Sequence, residues 1–387
     1  MKKTDRSQWS LNTKLNHPKR IMPREDNPST VAPIYQSVKF SVSPDVNYHD
    51  QFIYTRISNP TLQQLEILLA EIQKREECIV FGSGIAAITN ALLGVLEAGD
   101  HMISFRELYK PARVFIKETL PRFGISSTLL KLSEIDRLEQ AIIPGKTKLI
   151  HFESPSNPNL EIADVQKIID VARKHKVLVS MDGTFGGLHQ HTQFDIDIVI
   201  QSLTKYANGH GDVLAGSVSG KASVLKRIKH MSIALGATLD PHAAYLIERG
   251  LKTYKLRYER QTQNAQIIAK FLATHPKVKR VYYPGLIEHR GHDLAKKQMS
   301  DMGAMLAFEI EPSVGTADEF CHRLNLIQFA VSLGSTETLI ASTHFFFGDD
   351  LSSEDKKEMG INLHSLRLSV GIEEPEDVIF DLKSALE

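Results

Sequence analysis

The stretch Lys148-Leu-Ile-His-Phe152, then Asp164 to His175, then Val177-Leu-Val-Ser-Met181-Asp182, decides the fold. The first and last segments are apolar runs of strand length. The middle segment has the pattern of an amphipathic helix. Strand, helix-length crossover and strand make a βαβ unit, whose two strands run parallel. The same alternation extends outward. On the N-terminal side, Pro60 opens a helix carrying Leu62, Leu65, Leu68, Leu69 and Ile72 at helical spacing. A strand, Cys78–Phe81, runs into Gly82-Ser83-Gly84, and a second helix covers about Ile85 to Leu96. Gly99-Asp100 turns the chain into a strand, His101–Phe105. On the C-terminal side, Ile196–Ser202 is a strand leading to Lys205. The prediction is an α/β protein with a mostly parallel central sheet and helices on both faces.

After Gly236 the texture changes. A charged helical stretch spans about Pro241 to His275, and Pro284-Gly285 breaks the pattern. Met305–Ile310 and Leu366–Val370 read as strands of a smaller α/β unit, and Glu376–Glu387 as a terminal helix. Residues 1–58 hold scattered prolines (Pro18, Pro23, Pro28, Pro33, Pro44) without sustained periodicity. They read as an extended arm lying on the body or on a neighbouring subunit. The expected division is an arm (1–58), a cofactor-binding domain (59–245) and a C-terminal α/β domain (246–387).

The 387 residues are 42% hydrophobic and 24% charged, enough for a large core over two or three domains. Lys+Arg and Asp+Glu are both 46. A duplex binder carries a basic excess, so nucleic acid is not an expected partner. With two cysteines, Cys78 and Cys321, there is no disulfide framework. Cys78, in an apolar run, reads as an inert buried thiol. No run reaches the 18 apolar residues of a membrane span, and Met1–Ser10 has no apolar stretch behind it. The expectation is a cytoplasmic protein without a membrane partner or metal.

In parallel sheets, ligands bind beyond the carboxyl ends of the strands. Ser83, Gly84, Asp182 and Lys205 all fall there. The Gly82-Ser83-Gly84-Ile85 turn before a helix offers backbone N–H groups and the positive end of the helix dipole to an anion. The same turn also suits a dinucleotide, or simple close packing of helix on strand. Lys205, desolvated after a strand, can present a neutral amine to a carbonyl. Ser202 and Thr204 flank it with hydroxyls. Asp182, in Met181-Asp182-Gly183-Thr184, is costly at a buried strand end unless paired. A pyridinium nitrogen is one partner, and capping of the next turn is another use. Anion cradle, lysine and aspartate together are the equipment for pyridoxal 5′-phosphate.

The chain resembles the Cys/Met-metabolism family of pyridoxal-phosphate enzymes, which includes cystathionine γ-synthase, the cystathionine and methionine γ-lyases, and O-acetylhomoserine sulfhydrylase. The segments that carry the resemblance are Tyr54-Thr-Arg-Ile-Ser-Asn-Pro-Thr61, Ser83-Gly-Ile-Ala-Ala87, Glu153-Ser-Pro-Ser-Asn-Pro158, Asp182-Gly-Thr-Phe185, Ser202 to His210, Asp212-Val-Leu-Ala-Gly216, Ser332-Leu-Gly334 and Leu366 to Glu373. The resemblance implies the type I fold of pyridoxal-phosphate transferases. It implies that Lys205 holds the cofactor and then moves protons between substrate carbons. Asp182 would pair with the ring nitrogen, with Thr184 beside it. Ser83, Gly84, Ile85, Ser202 and Thr204 would surround the phosphate, which Tyr54 and Arg56 would reach from a neighbouring subunit. Tyr109 would stack on the ring and act in acid–base steps. Arg367 would clamp the substrate α-carboxylate, helped by Asn157 and Ser332. The family further implies a homotetramer of two active dimers.

Three departures stand out. Lys110-Pro111-Ala112 follows Tyr109 where the family has two small residues and a threonine. Val331 replaces the glutamate that meets the distal amine of cystathionine in γ-synthases and γ-lyases. Ala341-Ser342-Thr343-His344 leads into Phe345-Phe346-Phe347, expected to pack in the core of the smaller domain, or else to line an apolar entrance. The resulting expectation is a carbon–sulfur lyase performing γ-elimination on a sulfur amino acid. The alternatives are γ-replacement, as in a γ-synthase or sulfhydrylase, and a catalytically altered relative that binds the cofactor.

Overall fold

The computed structural model describes residues 6–19, 29–47 and 50–387. Pro23 and Pro28 of the arm lie outside the described residues. Seven strands form the larger sheet: β1 (Glu77–Phe81), β2 (His101–Phe105), β3 (Ser126–Leu130), β4 (Thr147–Glu153), β5 (Leu178–Asp182), β6 (Ile198–Ser202) and β7 (Gly216–Gly220). Their order is β1-β7-β6-β5-β4-β2-β3. Strands β3, β2, β4 and β5 pair in parallel, whereas β7 runs antiparallel to both β1 and β6. This is the mostly parallel α/β sheet that the alternating pattern predicts.

The chain forms two compact units, each assembled from two separate stretches. The first comprises the described residues up to Leu96 together with Ile196–Lys255. Here Asn59 caps the helix Pro60–Gln73 by accepting from Thr61 N, and Leu62, Leu65, Leu68, Leu69 and Ile72 are its buried face. That face packs on β1 and β7. The helix Gly84–Val95 packs against β6, β7 and the helix Ala222–Leu235. The arm is less featureless than its prolines suggest. Ser10 caps a short helix, Leu11–Asn16, which buries Leu15, and Lys39 bridges to Tyr54.

The second unit comprises Glu97–Asp195 and Leu256–Glu387. In it the helix Val165–Lys174, capped by Asp164, buries Val165, Ile168, Ile169 and Ala172. Its second sheet holds β8 (Val278–Tyr282), β9 (Met305–Ile310), β10 (Gln328–Phe329), β11 (Leu339–Ser342) and β12 (Ser365–Ser369), in the order β10-β11-β12-β9-β8. Strand β12 lies antiparallel to both β9 and β11.

The helical stretch expected over 241–275 is two helices, Pro241–Leu251 and Tyr254–Thr274. Three-residue bonds from Lys252 N to Arg249 O and from Thr253 N to Gly250 O tighten the chain there, so the second helix starts afresh. Cys78 and Cys321 are buried free thiols; burial pushes both up, Cys321 to about 12. Among the described residues, no helix is long and apolar enough to cross a membrane, and no cluster of His, Cys, Asp or Glu could hold a metal ion.

Candidate active site

Within the first unit, the ends of β1, β6 and β7 bring Ser83, Gly84, Ser202, Thr204 and Lys205 into one neighbourhood. Ser83 caps the helix Gly84–Val95, its hydroxyl accepting from Ala86 N at 3.1 Å. The first N–H groups of that helix, at Gly84 and Ile85, have no acceptor within the helix. A Cβ on Gly84 would sit 2.8 Å from both Cβ and Oγ of Ser202. A Cβ on Gly216 would sit 2.3 Å from Ser83 O. Both glycines are therefore dictated by close approach, and together they keep the turn pressed on the strand ends. Beyond β6, Lys205 N donates to Ser202 O at 3.2 Å and Gly209 N to Lys205 O at 2.8 Å. Thr204 Oγ1 accepts from Ala215 N at 2.9 Å and donates to Ala215 O at 3.2 Å. This threonine thus ties the lysine turn to the start of β7. Tyr54, 40% exposed, lies with its ring 5.5 Å from the Arg56 guanidinium, and Arg56 donates to Ile233 O.

Within the second unit, the carboxyl ends of β4 and β5 carry two buried acids. Asp182 closes β5, and its Oδ1 accepts from Thr184 N at 2.9 Å. Turn capping and burial therefore coexist at this residue. Glu153 closes β4 directly beside it in register. Glu153 Oε2 accepts from Tyr109 N at 2.7 Å, which seats Tyr109 at the start of the short helix Lys110–Val114. Burial pushes the Asp182 carboxyl up, partly offset by hydrogen bonds from Thr184. Burial pushes Glu153 well up, and the neighbouring Asp182 charge adds to it. The Tyr109 hydroxyl is also raised, first by burial and then by Asp182 and Glu153.

Glu153 has no role among the residues expected at the site. The signal was present, because a carboxylate ending the apolar run Lys148–Phe152 is as anomalous as Asp182 ending Val177–Met181. A carboxyl that binds its proton more tightly in the folded chain stabilises the fold at low pH. It loses that contribution as pH rises from the ordinary carboxylate range through its folded value. Glu153→Gln keeps an oxygen for Tyr109 N and cannot ionise. Cofactor-depleted Glu153→Gln is therefore expected to melt a few degrees above the parent at pH 8. The advantage should vanish near pH 4. Melting curves across that range check it; equal midpoints at pH 8 would refute it.

Strand β12 presents Arg367. Its Nη1 donates to Asn157 Oδ1 at 3.1 Å and its Nη2 to Ser332 O at 3.0 Å. Ser332 sits at φ 96, a left-handed conformation rare for a side-chain-bearing residue. Val331 beside it is 49% exposed. The Phe347 ring centroid lies 4.4 Å from the Arg367 guanidinium and that of Phe185 lies 5.7 Å from it. The expectation that Phe345-Phe346-Phe347 pack in a core is not met. Phe345 is 67% exposed and the other two are half-buried. Two departing stretches meet each other instead: Lys110 pairs with Asp349, and Arg113 forms a bidentate pair with Asp350 at 2.7 Å.

The residues fit pyridoxal phosphate. The first unit has a turn with no room for a Cβ, a helix N-terminus and a lysine turn. The second has a buried carboxylate of the kind a ring cation would pair with. A seven-stranded, mostly parallel sheet with this equipment defines a pyridoxal-phosphate enzyme of fold type I. A family model described as Cys/Met metabolism PLP-dependent enzyme matches residues 13–387. L-methionine gamma-lyase of Fusobacterium nucleatum subsp. polymorphum is 40% identical over 341 residues, covering 87% of this chain and 86% of its own length. Cystathionine beta-lyase of Lactococcus lactis subsp. cremoris is 38% identical over 381 residues, 98% of this chain and 99% of its own. The crystal structure of cystathionine gamma-lyase from Lactobacillus plantarum complexed with L-serine superposes with a TM-score of 0.91 at 32% identity, over 97% of this chain and 98% of that one. The chain belongs to the Cys/Met-metabolism family of pyridoxal-phosphate-dependent enzymes, and pyridoxal 5′-phosphate is its cofactor.

Proposed function

We propose that this enzyme is a carbon–sulfur lyase performing γ-elimination, in the manner of methionine and cystathionine γ-lyases. Its substrate carries an uncharged sulfur side chain, and its products are a thiol, ammonia and a 2-oxo acid. The observation that carries the reading is the pairing of Arg367 with the carbonyl of Ser332, next to half-exposed Val331. An amino acid whose carboxylate meets Arg367 would extend past an apolar side chain there. Val331 offers no charge to a distal ammonium, so a methionine-like thioether suits it better than a second zwitterion.

When bound, pyridoxal phosphate supplies the electron sink that makes protons next to the substrate amine removable. In this reading the chain's own groups do the rest. Ser83, Gly84, Ile85, Ser202 and Thr204 would cradle the phosphate, and Asp182, oriented through Thr184, would pair with the ring nitrogen. Arg367 binds the α-carboxylate with its planar fork, with Asn157 and Ser332 setting the plane. The Lys205 amine carries a proton away from one substrate carbon and returns it at another. Tyr109, like any phenol, keeps its proton at neutral pH, and burial and two neighbouring acids hold it there more firmly. It therefore serves as the acid for the departing sulfur. Tyr54 and Arg56 complete a neighbour's phosphate site, which requires at least a dimer, and the family resemblance extends this to a homotetramer of two active dimers. The arm (1–58), the cofactor domain (59–245) and the C-terminal domain (246–387) are the corresponding functional parts, working in the cytoplasm.

A product assay tests the reaction. With methionine alone, the holoenzyme is expected to release 2-oxobutyrate and a thiol. With O-acylhomoserine plus a thiol, a lyase gives mainly 2-oxobutyrate, whereas a γ-replacement enzyme gives the thioether. No 2-oxobutyrate from methionine, together with thioether in the second mixture, would overturn the elimination reading.

A further inference from the structure

Besides Asn157 and Ser332, the Arg367 guanidinium has two aromatic neighbours, Phe347 at 4.4 Å and Phe185 at 5.7 Å, and Phe347 is the nearer. The segment 343–358 leaves β11 through the short helix Thr343–Phe347 and returns through a second, Ser353–Glu358. It is pinned along its length to the stretch around Tyr109 and, at its far end, to Lys131 just past β3. Arg113, on the Lys110–Val114 helix, is 2% exposed and donates from Nε and Nη2 to Asp350, itself 9% exposed. The same guanidinium reaches Phe347 O at 3.3 Å, and its Nη1 donates to the carbonyls of Arg106 and Leu108. Arg106 pairs with Asp355, Lys110 with Asp349 and Lys131 with Glu358. The three outer pairs are more exposed and contribute little each. The buried bidentate pair is geometrically demanding and sets where Phe347 can sit.

We propose that Phe347 is a positioning residue for Arg367: the segment 343–358, pinned through Arg113 and Asp350, holds the Phe347 ring against the guanidinium and fixes it for the substrate carboxylate. The ring lies within the range at which an aromatic face attracts a cation. With Asn157 and Ser332 each taking one nitrogen, the ring restrains the tilt that these two hydrogen bonds leave open. The inference rests on the reading of Arg367 as the carboxylate clamp.

Steady-state kinetics of the holoenzyme, with the best substrate from the product assay, test it. Phe347→Leu is expected to raise KM about tenfold while kcat stays within about twofold. Phe347→Tyr keeps a ring and should keep the wild-type KM. Asp350→Asn leaves every ring in place but loosens the pin, and should raise KM in the same direction. Arg367→Ala calibrates the underlying reading. A wild-type KM in Arg367→Ala removes the clamp assignment itself. A raised KM in Arg367→Ala with a wild-type KM in Phe347→Leu or in Asp350→Asn overturns the positioning role alone. So does a Tyr variant as impaired as the Leu variant. Thermal melting confirms that each protein is folded, and if Phe347→Leu does not fold, the Tyr and Asn variants decide the matter.

Discussion

Lys205→Ala is expected to lower kcat by about 10³-fold or more while leaving the fold intact. The size follows from what a mobile amine contributes, first as a nucleophile toward a carbonyl and then as a positioned acid and base. The intact fold follows from how the turn is built. Lys205 N bonds to Ser202 O, Gly209 N to Lys205 O, and Thr204 bonds Ala215 in both directions. None of these bonds uses the Lys205 side chain, so truncation leaves them standing. Lys205→Arg separates charge from chemistry. Arginine keeps the positive charge but does not give up its proton. It should lose as much activity as alanine, and a small added alkylamine should restore part of the activity in Lys205→Ala only. Activity above about a tenth of wild type in Lys205→Arg would mean that charge alone suffices. Turnover, melting midpoint and amine titration of the two variants check this together.

Which features were legible in the sequence follows from what each strand is made of. Strands β2 and β9 have the ends that their apolar runs predict, because every residue from His101 to Phe105 is buried and nearly every one from Met305 to Ile310. Strand β7 was invisible for the opposite reason. Gly216-Ser-Val-Ser-Gly220 carries a single large apolar residue, yet all five residues are buried between β1 and β6. Small residues are required there, since a Cβ at Gly220 would meet Asp197 O at 2.0 Å. Hydrophobic periodicity cannot register a strand selected for closeness. The positions of Lys205, Asp182 and the Gly82-Ser83-Gly84 turn are legible because each falls at or just past the carboxyl end of a strand. Phe345-Phe346-Phe347 is misleading because apolar composition cannot distinguish a core from a half-exposed segment: Phe345 is 67% exposed, and Phe347 lies 4.4 Å from the Arg367 guanidinium. The pairing of Arg113 with Asp350 spans 237 positions, and no local pattern announces it.

Asp182→Asn is expected to lower kcat about 10²- to 10³-fold, whereas Glu153→Gln, one strand away, is expected to keep most activity. The two acids end neighbouring parallel strands in register, and the charge of Asp182 disfavours ionisation of Glu153. Like charges this close do not both ionise readily in a buried setting, so one acid keeps its proton more readily than the other. Hydrogen bonds from Thr184 favour the charged form of Asp182. Glu153 is raised by burial and by the Asp182 charge, although it accepts from Tyr109 N and Asn157 N. Asp182 is thus the acid prepared to carry charge, and Glu153 the one prepared to stay neutral. If Asp182 faces a ring cation, losing its charge leaves that cation unpaired. Breaking a buried pair costs about 3–5 kcal/mol, which at about 1.4 kcal/mol per tenfold in rate gives the stated loss. The asparagine oxygen still caps Thr184 N, so the turn survives. Without cofactor, the raised carboxyl predicts that Asp182→Asn melts above the parent at pH 8 and level with it near pH 4. The catalytic and stability effects of this substitution therefore have opposite signs. Parallel kcat and melting series for the two variants decide the assignment. Loss of activity in Glu153→Gln with retention in Asp182→Asn would reverse it.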